Sequence, residues 1–284
     1  MTRLALGLKL GNLFSICALL GLSTYFAVWD TGAIDEWFQH PNYFMPASFT
    51  NIIIPFIYLL FILFVLTQFR PEFDELVING IEIWFTLSNI FTISWLVCLK
   101  FRWFYALEAS MFGILISVSK LYQNLSYYRF QDWLSYFTVY LPFTMFTAWT
   151  IVDTIVTTFV VFFDLNRGDH EYSKYISMAS IGLLTLVGLY QSERKGHAAY
   201  GLVIGWLVHN IFTHSHPYTK RLNSYNLEYR SLFGIAIEQS AEYYLNIVGL
   251  ISCGVVLGSV GRGCLHEIIS RLRIGTSEER RRLL

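Results

Sequence analysis

The sequence predicts an all-α integral membrane protein with about eight transmembrane helices. Three observations point to this fold class. Hydrophobic residues make up 55% of the 284 residues and charged residues only 14%, whereas a soluble domain has about 25% charged residues. Eight stretches are long and apolar enough to cross a bilayer, which takes about 20 residues of helix. Only helices satisfy their backbone hydrogen bonds locally in lipid, so these stretches should form a helical bundle.

Each span is recognised from its own apolar run. The first follows Arg3 and Lys9 and is longer than the apolar run of a signal peptide, so we expect a retained helix. The second is the clearest, because it is an uncharged run rich in Ile, Leu, Phe and Val with one proline. The remaining connections leave no room for a separate soluble domain. The eight predicted spans are 10–29, 51–68, 78–99, 103–122, 134–163, 175–192, 197–213 and 232–259.

The distribution of Lys and Arg predicts a cytosolic N-terminus. In that orientation thirteen basic residues flank the inner ends of the spans and seven flank the outer ends. Eight spans then place the C-terminal tail in the cytosol as well. The tail ends in Glu279-x-x-x-Leu283-Leu284, which resembles an acidic dileucine sorting signal, although a basic tail on anionic lipid explains the same region. We therefore expect a eukaryotic endomembrane, with vacuolar and endosomal membranes as candidates.

Carboxylates inside the predicted spans are candidates for function, because each charge in lipid costs about 2.5–3.5 kcal/mol. Asp153 lies near the middle of the fifth span, surrounded by threonines. Glu238 and Glu242 are four residues apart and share one face of the last span. Such a pair can hold a proton or a cation, or can form a structural contact between helices. Glu82 and Glu108 lie within about a turn of span ends, where we expect them to reach the interface.

No catalytic motif is found. The sequence contains no HExxH, no GxSxG, no P-loop and no spaced histidine boxes. His209, His214 and His216 lack a carboxylate or cysteine at ligand spacing, so we predict no metal site. The net charge of zero argues against binding of nucleic acid. We expect a protein that is not an enzyme and requires no cofactor.

Aromatic residues make up 18% of the chain, and Trp84, Trp95, Trp149 and Trp206 lie inside predicted spans. Several aromatic side chains with a few polar groups inside a bundle are what a flat apolar ligand needs. A well-packed aromatic core has the same composition. Both interpretations remain open at this point.

Four segments in order resemble the TspO/translocator family, in particular its longer branch of tryptophan-rich sensory proteins. The segments are NYFMPA at 42–47 with PFIYLL at 55–60, LSNIFTISW at 87–95, LPF at 141–143 with Trp149 seven residues after Pro142, and YGLVIGWL at 200–207. Two positions depart from the family pattern. Pro55 and Phe56 stand where the family has a tryptophan, and Asp153 and Thr157 stand where it tends to have Ala and then Asn.

The resemblance implies a translocator-like five-helix core over residues 1–163, including an outer loop at 30–48. Three additional helices at 164–260 and a basic tail at 261–284 would follow. By resemblance, the core binds a flat apolar ligand (a tetrapyrrole, a sterol or a lipid) under the outer loop, and the protein acts as a sensor, carrier or scavenger. The candidate ligand-binding residues are Tyr58, Asn89, Trp95, Pro142, Phe143, Trp149 and Asp153.

Two other functions compete with this interpretation. The first is a proton- or cation-coupled transporter that uses Asp153 and the pair Glu238 and Glu242; the sequence shows no internal repeat of the kind common in such transporters. The second is a structural subunit of a membrane complex. The expected partners are membrane lipids and an apolar small molecule, and the sequence leaves open a homodimer or a larger membrane complex.

Overall fold

The computed structural model describes residues 3–30, 32, 40, 44, 52–128, 132–163, 172–194, 198–211 and 254–262. Within these ranges every regular element is helical and no strand occurs. The all-α class predicted from the sequence is therefore confirmed for this part of the chain. The molecule divides into two compact units, Met1–Ser173 and Lys174–Leu284.

The first unit holds most of the described helices. α3 is a short composite helix that ends in a π-helical turn, and α6 begins with a turn of the same kind at Tyr136–Tyr140. The helices of this unit are α1 (Arg3–Val28), α2 (Ile53–Thr67), α3 (Pro71–Ile81), α4 (Trp84–Lys100), α5 (Phe104–Leu125) and α6 (Trp133–Phe162).

Four described helices are long and apolar enough to cross a membrane. They are α1, α5, α6 and the segment Tyr175–Ser192. α2 and α3 meet the same criterion only together, as a pair bent by 109°, and make a fifth candidate. α4 and Ala198–Ile211 are apolar but shorter. The chain is thus an integral membrane protein, and its described residues supply four or five candidate spans. Most of the predicted span 232–259 lies outside the described residues.

The bend between α2 and α3 is caused by Pro71. The residue before a proline is disfavoured in the helical region, and Arg70 adopts an extended conformation with φ −66° and ψ 140°. α2 therefore ends at Thr67, and α3 continues in another direction. Glu82 follows α3 with a positive φ of 50°, so α4 begins at Trp84 rather than at the predicted residue 78.

The start of α6 combines a side-chain cap with a proline. The backbone N–H of Ser135 donates to the Asp132 carboxylate at 2.7 Å, which satisfies one of the free donors of the first turn. The π-helical turn that follows ends just before Leu141 and Pro142. A proline lacks an N–H and its ring crowds the preceding turn. The wider turn accommodates this proline without ending the helix.

A cluster of five phenylalanines joins α2, α4 and α6. Six ring pairs in this cluster have centroids 5.0–5.5 Å apart, and most meet edge to face. Edge-to-face pairs add about 0.5–1.5 kcal/mol to the burial of the rings. The cluster therefore forms a dry core for this part of the bundle. Its members are Phe61, Phe64, Phe85, Phe143 and Phe146.

α4 and α5 approach closely at Gly113. A Cβ atom at this position would lie 2.6 Å from the ring of Phe91. The absence of a side chain thus sets the distance between the two helices, which are joined by the tight turn at 101–103. Further along the same interface, the hydroxyls of Ser94 and Ser110 are 2.9 Å apart.

A buried polar network ties the N-terminal half of α1 to its neighbours. Lys9 is fully buried and forms an ion pair with Asp74 of α3. The Gln68 amide N–H, just after α2, donates to the main-chain oxygen of Lys9 at 3.1 Å. We call this set the polar network; its members are Lys9, Asn12, Ser15, Gln68, Asp74, Thr86 and Asn89.

The rest of the polar network is a chain of amides and hydroxyls. Asn12 donates to the Gln68 carbonyl at 3.0 Å and accepts from the Thr86 hydroxyl at 3.0 Å. Asn89 of α4 donates to the Ser15 hydroxyl at 3.0 Å, and Ser15 donates to the main-chain oxygen of Asn12. Buried polar groups are costly unless they are hydrogen-bonded, so mutual pairing fixes the register of α1 against α2, α3 and α4.

The second unit contains α7 (Ser173–Leu189, continued by a π-helical turn to Arg194), α8 (Ala198–Ile211) and α9 (residues 254–262). Small residues allow these helices to pack closely. A Cβ at Gly201 of α8 would lie 2.8 Å from the side chain of Val260. The Ser192 and Ser259 hydroxyls hydrogen-bond to each other, and Ala198, Val256 and Val260 form a buried cluster.

Candidate functional site

A cavity of about 200 Å3 lies inside the first unit, between α1, α2, α4, α5 and α6. Its wall is apolar except for a few side chains that carry polar atoms. The lining residues are Ser23, Ile54, Ile57, Tyr58, Thr92, Trp95, Leu96, Leu99, Met111, Ile114, Phe146, Trp149, Thr150 and Asp153.

Asp153 of α6 is the carboxylate of this cavity. The side chain of Trp149, one turn earlier on the same helix, hydrogen-bonds to it. The Thr157 hydroxyl donates to the main-chain oxygen of Asp153 at 2.8 Å, not to its carboxylate. Thr150 and Thr154 likewise donate to main-chain oxygens four residues earlier. The threonines around Asp153 thus satisfy the helix backbone, and the carboxylate faces the cavity.

The aromatic part of the wall comes from three helices. Tyr58 lies on α2, Trp95 on α4 and Trp149 on α6. The aliphatic part is contributed mainly by α2, α4 and α5. An apolar cavity with a few polar groups is the usual form of a small-molecule site.

Two described residues of the predicted outer loop, His40 and Phe44, pack against α5 and α6. The fully buried ring of Phe44 stacks on Phe159 of α6 at 5.2 Å, and His40 meets Phe104 of α5 edge-on at 5.3 Å. Phe159 is six residues after Asp153, which is about 9 Å along a helix. In the same predicted loop, Asp30 forms an ion pair with Lys100.

Four of the seven predicted ligand-binding residues line this cavity: Tyr58, Trp95, Trp149 and Asp153. The other three are placed elsewhere. Asn89 belongs to the polar network, and Phe143 packs in the phenylalanine cluster, 1% exposed. Pro142 is also buried and is not among the lining residues. The prediction that Asn89, Trp95, Pro142, Phe143 and Trp149 face one cavity is therefore corrected, since Trp95 and Trp149 are the two of these five that line it.

Helix geometry explains this division. Asn89 precedes Trp95 by six residues, and Phe143 precedes Trp149 by six. Six residues turn an α-helix by about 600°, which leaves the two side chains about 120° apart around the axis. When Trp95 and Trp149 face the cavity, Asn89 and Phe143 therefore face neighbouring helices.

Several lining residues were not foreseen from the sequence. Ser23 comes from α1, and Met111 and Ile114 come from α5. For two other lining residues, Ile54 and Thr92, the residue spacing in the sequence was a usable signal. Ile54 lies four residues before Tyr58, and Thr92 three residues before Trp95, the spacings that place side chains on one helix face.

The other predicted acidic residues have different surroundings. Glu108 was expected near the interface, but it is buried at 6% exposure and accepts a hydrogen bond of 2.6 Å from Thr158. Glu82 accepts from Asn124 at 3.2 Å. Glu238 and Glu242 lie outside the described residues. In the described ranges, no group of three or more His, Cys, Asp or Glu side chains is arranged to hold a metal ion.

Comparison with known proteins gives one match. A family model described as TSPO-like protein matches residues 9–237, which is more than half of the chain. The matched region includes α1 to α8, and it ends just before Glu238. No curated protein and no solved structure matches the chain.

Proposed function

Because the chain belongs to the TSPO-like family, we propose that it binds a small apolar molecule in the cavity between α1, α2, α4, α5 and α6. The observation that supports this proposal best is the cavity itself, with aromatic side chains from three helices and one carboxylate. In this proposal the protein acts as a sensor, carrier or scavenger in the membrane. We propose a binding protein rather than an enzyme, with no required cofactor; among the described lining residues there is no His, Cys or Lys.

The size and charge of the cavity bear on the ligand class. A volume of about 200 Å3 is below the range of about 300–1,000 Å3 that is usual for drug-sized ligands. A compact ligand, or one end of a sterol or a lipid, fits this volume better than a whole tetrapyrrole. A tetrapyrrole also carries carboxylates, which the carboxylate of Asp153 would repel. We therefore favour a sterol or a lipid over a tetrapyrrole.

A proton- or cation-coupled transporter is the second candidate. It is favoured by two carboxylates on adjacent helices, Glu108 on α5 and Asp153 on α6. Glu238 and Glu242 would add a second pair in the last predicted span. A structural subunit of a membrane complex is the third candidate, and recovery of stable protein partners from native membranes would favour it.

The remaining features of the proposal concern topology and location. We propose eight spans, both termini in the cytosol, and a eukaryotic endomembrane such as that of the vacuole or the endosome. A homodimer or a larger membrane complex is compatible with this arrangement. Imaging of an N-terminally tagged protein in which Leu283 and Leu284 are replaced by Ala tests the location. An unchanged distribution would remove the sorting signal from the proposal.

Mass spectrometry of the detergent-extracted protein tests the binding function. We expect a specific apolar molecule to co-purify with the wild type and to be lost from Trp149→Ala. Trp103→Ala is the matched control, because Trp103 is 58% exposed and lies outside the cavity lining. Recovery of bulk membrane lipids alone, in equal amounts from all three proteins, would contradict the proposal.

A further inference from the structure

We infer that the ligand of this cavity carries a protonated amine, which pairs with the Asp153 carboxylate among the rings of Tyr58, Trp95 and Trp149, and a compact hydrocarbon body. This inference rests on the proposed function and assigns the chemical class of the ligand.

The first argument is the charge balance of the cavity. A carboxylate away from water is costly unless a cation or several hydrogen-bond donors compensate it. Among the described lining residues there is no Lys or Arg, and the hydrogen-bond partner of the carboxylate is the neutral side chain of Trp149. The hydroxyls of Thr150 and Thr157 donate to the helix backbone instead of the carboxylate. The missing positive charge is what a cationic ligand would supply.

The second argument is the aromatic wall. A cation within about 6 Å of an aromatic face is attracted by the ring, most strongly by tryptophan. Tyr58, Trp95 and Trp149 line the same cavity as Asp153, so an ammonium group paired with the carboxylate shares the cavity with these rings. The carboxylate and the aromatic rings would thus both attract the ammonium group of the ligand.

The third argument is the remainder of the wall, which selects the rest of the ligand. Six of its side chains are aliphatic or thioether groups on α2, α4 and α5, and they favour a hydrocarbon body. A bare metal ion is disfavoured, because it would need several oxygen ligands. The residues of this aliphatic wall are Ile54, Ile57, Leu96, Leu99, Met111 and Ile114.

A matched pair of compounds tests the inference. The first is cyclohexylpropyl-dimethylamine, which is protonated at neutral pH. The second is the neutral hydrocarbon of the same shape, in which a CH group replaces the nitrogen. Saturable binding of each is measured by calorimetry on the purified full-length protein in detergent. We expect the wild type to bind the amine about tenfold more tightly than the hydrocarbon.

Two variants locate the effect. Asp153→Asn should remove the preference for the amine while leaving the affinity for the hydrocarbon nearly unchanged. Glu108→Gln is the matched control, because Glu108 is a buried acid that is not among the cavity-lining residues; this variant should keep the preference for the amine. Partition of the compounds into detergent is the same for all three proteins and cannot produce this pattern.

The outcomes separate the inference from the function on which it rests. Equal affinity of the wild type for amine and hydrocarbon would overturn the inference and leave apolar binding intact, whether or not Asp153→Asn folds. An equal loss of preference in Asp153→Asn and Glu108→Gln would also overturn it. Failure of the proposed function has a different signature: neither compound binds saturably and no molecule co-purifies.

Discussion

Polar side chains inside the first unit are paired with one another at one end, whereas toward the other end a carboxylate faces a cavity. At one end, Lys9 and Asp74 pair with each other, and amides and hydroxyls from α1, α2 and α4 complete the polar network. Toward the other end, the carboxylate of Asp153 faces a cavity with aromatic walls. α1, α2 and α4 contribute to both regions. The difference shows that an intramembrane polar residue indicates a site only where the surrounding helices leave space for a ligand.

The greatest expected effect is loss of the buried ion pair. Lys9→Met leaves the Asp74 carboxylate without its cation and breaks a connection between α1 and α3. We expect loss of most of the folded protein, measured as the monodisperse fraction after detergent extraction. Lys100→Met is the matched control, since its ion pair with Asp30 is partly exposed and should contribute about 0–1 kcal/mol. Equal behaviour of the two variants would contradict a structural role for the polar network.

The next prediction tests whether Phe143 belongs to the phenylalanine cluster or to the cavity. Phe143→Ala removes a ring from the phenylalanine cluster and should destabilise the protein by about 3–5 kcal/mol. Phe137→Ala removes an exposed ring of the same helix (47% exposed) and should have little effect. Unfolding in detergent measures both. If Phe143→Ala were as stable as the wild type and lost only ligand affinity, Phe143 would belong to the site after all.

A smaller effect compares two polar side chains on α4, three residues apart. Asn89→Ala leaves Ser15 without its donor inside the polar network and should cost about 1–3 kcal/mol. Thr92→Val removes only a bond from a hydroxyl to the main-chain oxygen of Ser88, and such bonds stabilise a helix little. We expect Thr92→Val to unfold like the wild type. A greater loss from Thr92→Val than from Asn89→Ala would reverse the comparison.

The smallest effect concerns the cap of α6. The backbone N–H of Ser135 holds the pKa of the Asp132 carboxyl below its usual range. A lowered folded-state pKa means that the stabilisation is complete above the ordinary carboxyl pKa and is lost as the pH falls through the lowered value. Asp132→Ala should cost about 1 kcal/mol at neutral pH. Unfolding from neutral to acidic pH should show this difference shrink, whereas a difference that stays constant with pH would indicate that the ionised carboxylate is not what stabilises the helix start.

The sequence predicted the parts of this fold that depend on local patterns. Apolar runs located most helices, and the family motifs led to Trp95 and Trp149. The register around each helix was predicted less well. Asn89 and Trp95, six residues apart, were expected to border one cavity at different depths. Only Trp95 lines the cavity, and Asn89 belongs to the polar network.

Long-range packing explains the other differences. Glu108 lies one turn inside α5, a position from which a long side chain could reach the interface. Its burial depends on the Thr158 hydroxyl of another helix. A local sequence pattern does not predict such a long-range contact. The polar network was missed for the same reason, since it joins residues that are up to 74 positions apart. The bend at Pro71 could have been inferred, because the residue before a proline seldom stays helical.

The early end of α2 has a consequence for the lipid around it. Its 15 residues span about 22 Å, whereas the hydrocarbon of a typical bilayer is about 30 Å thick. Tilting shortens the reach of a helix further, and we therefore expect a thinner bilayer next to α2. α3 turns aside where α2 ends, with Phe73 buried and Glu72 and Glu75 exposed. Reconstitution in lipids of decreasing chain length should therefore stabilise the protein down to an optimum shorter than that of common membrane lipids.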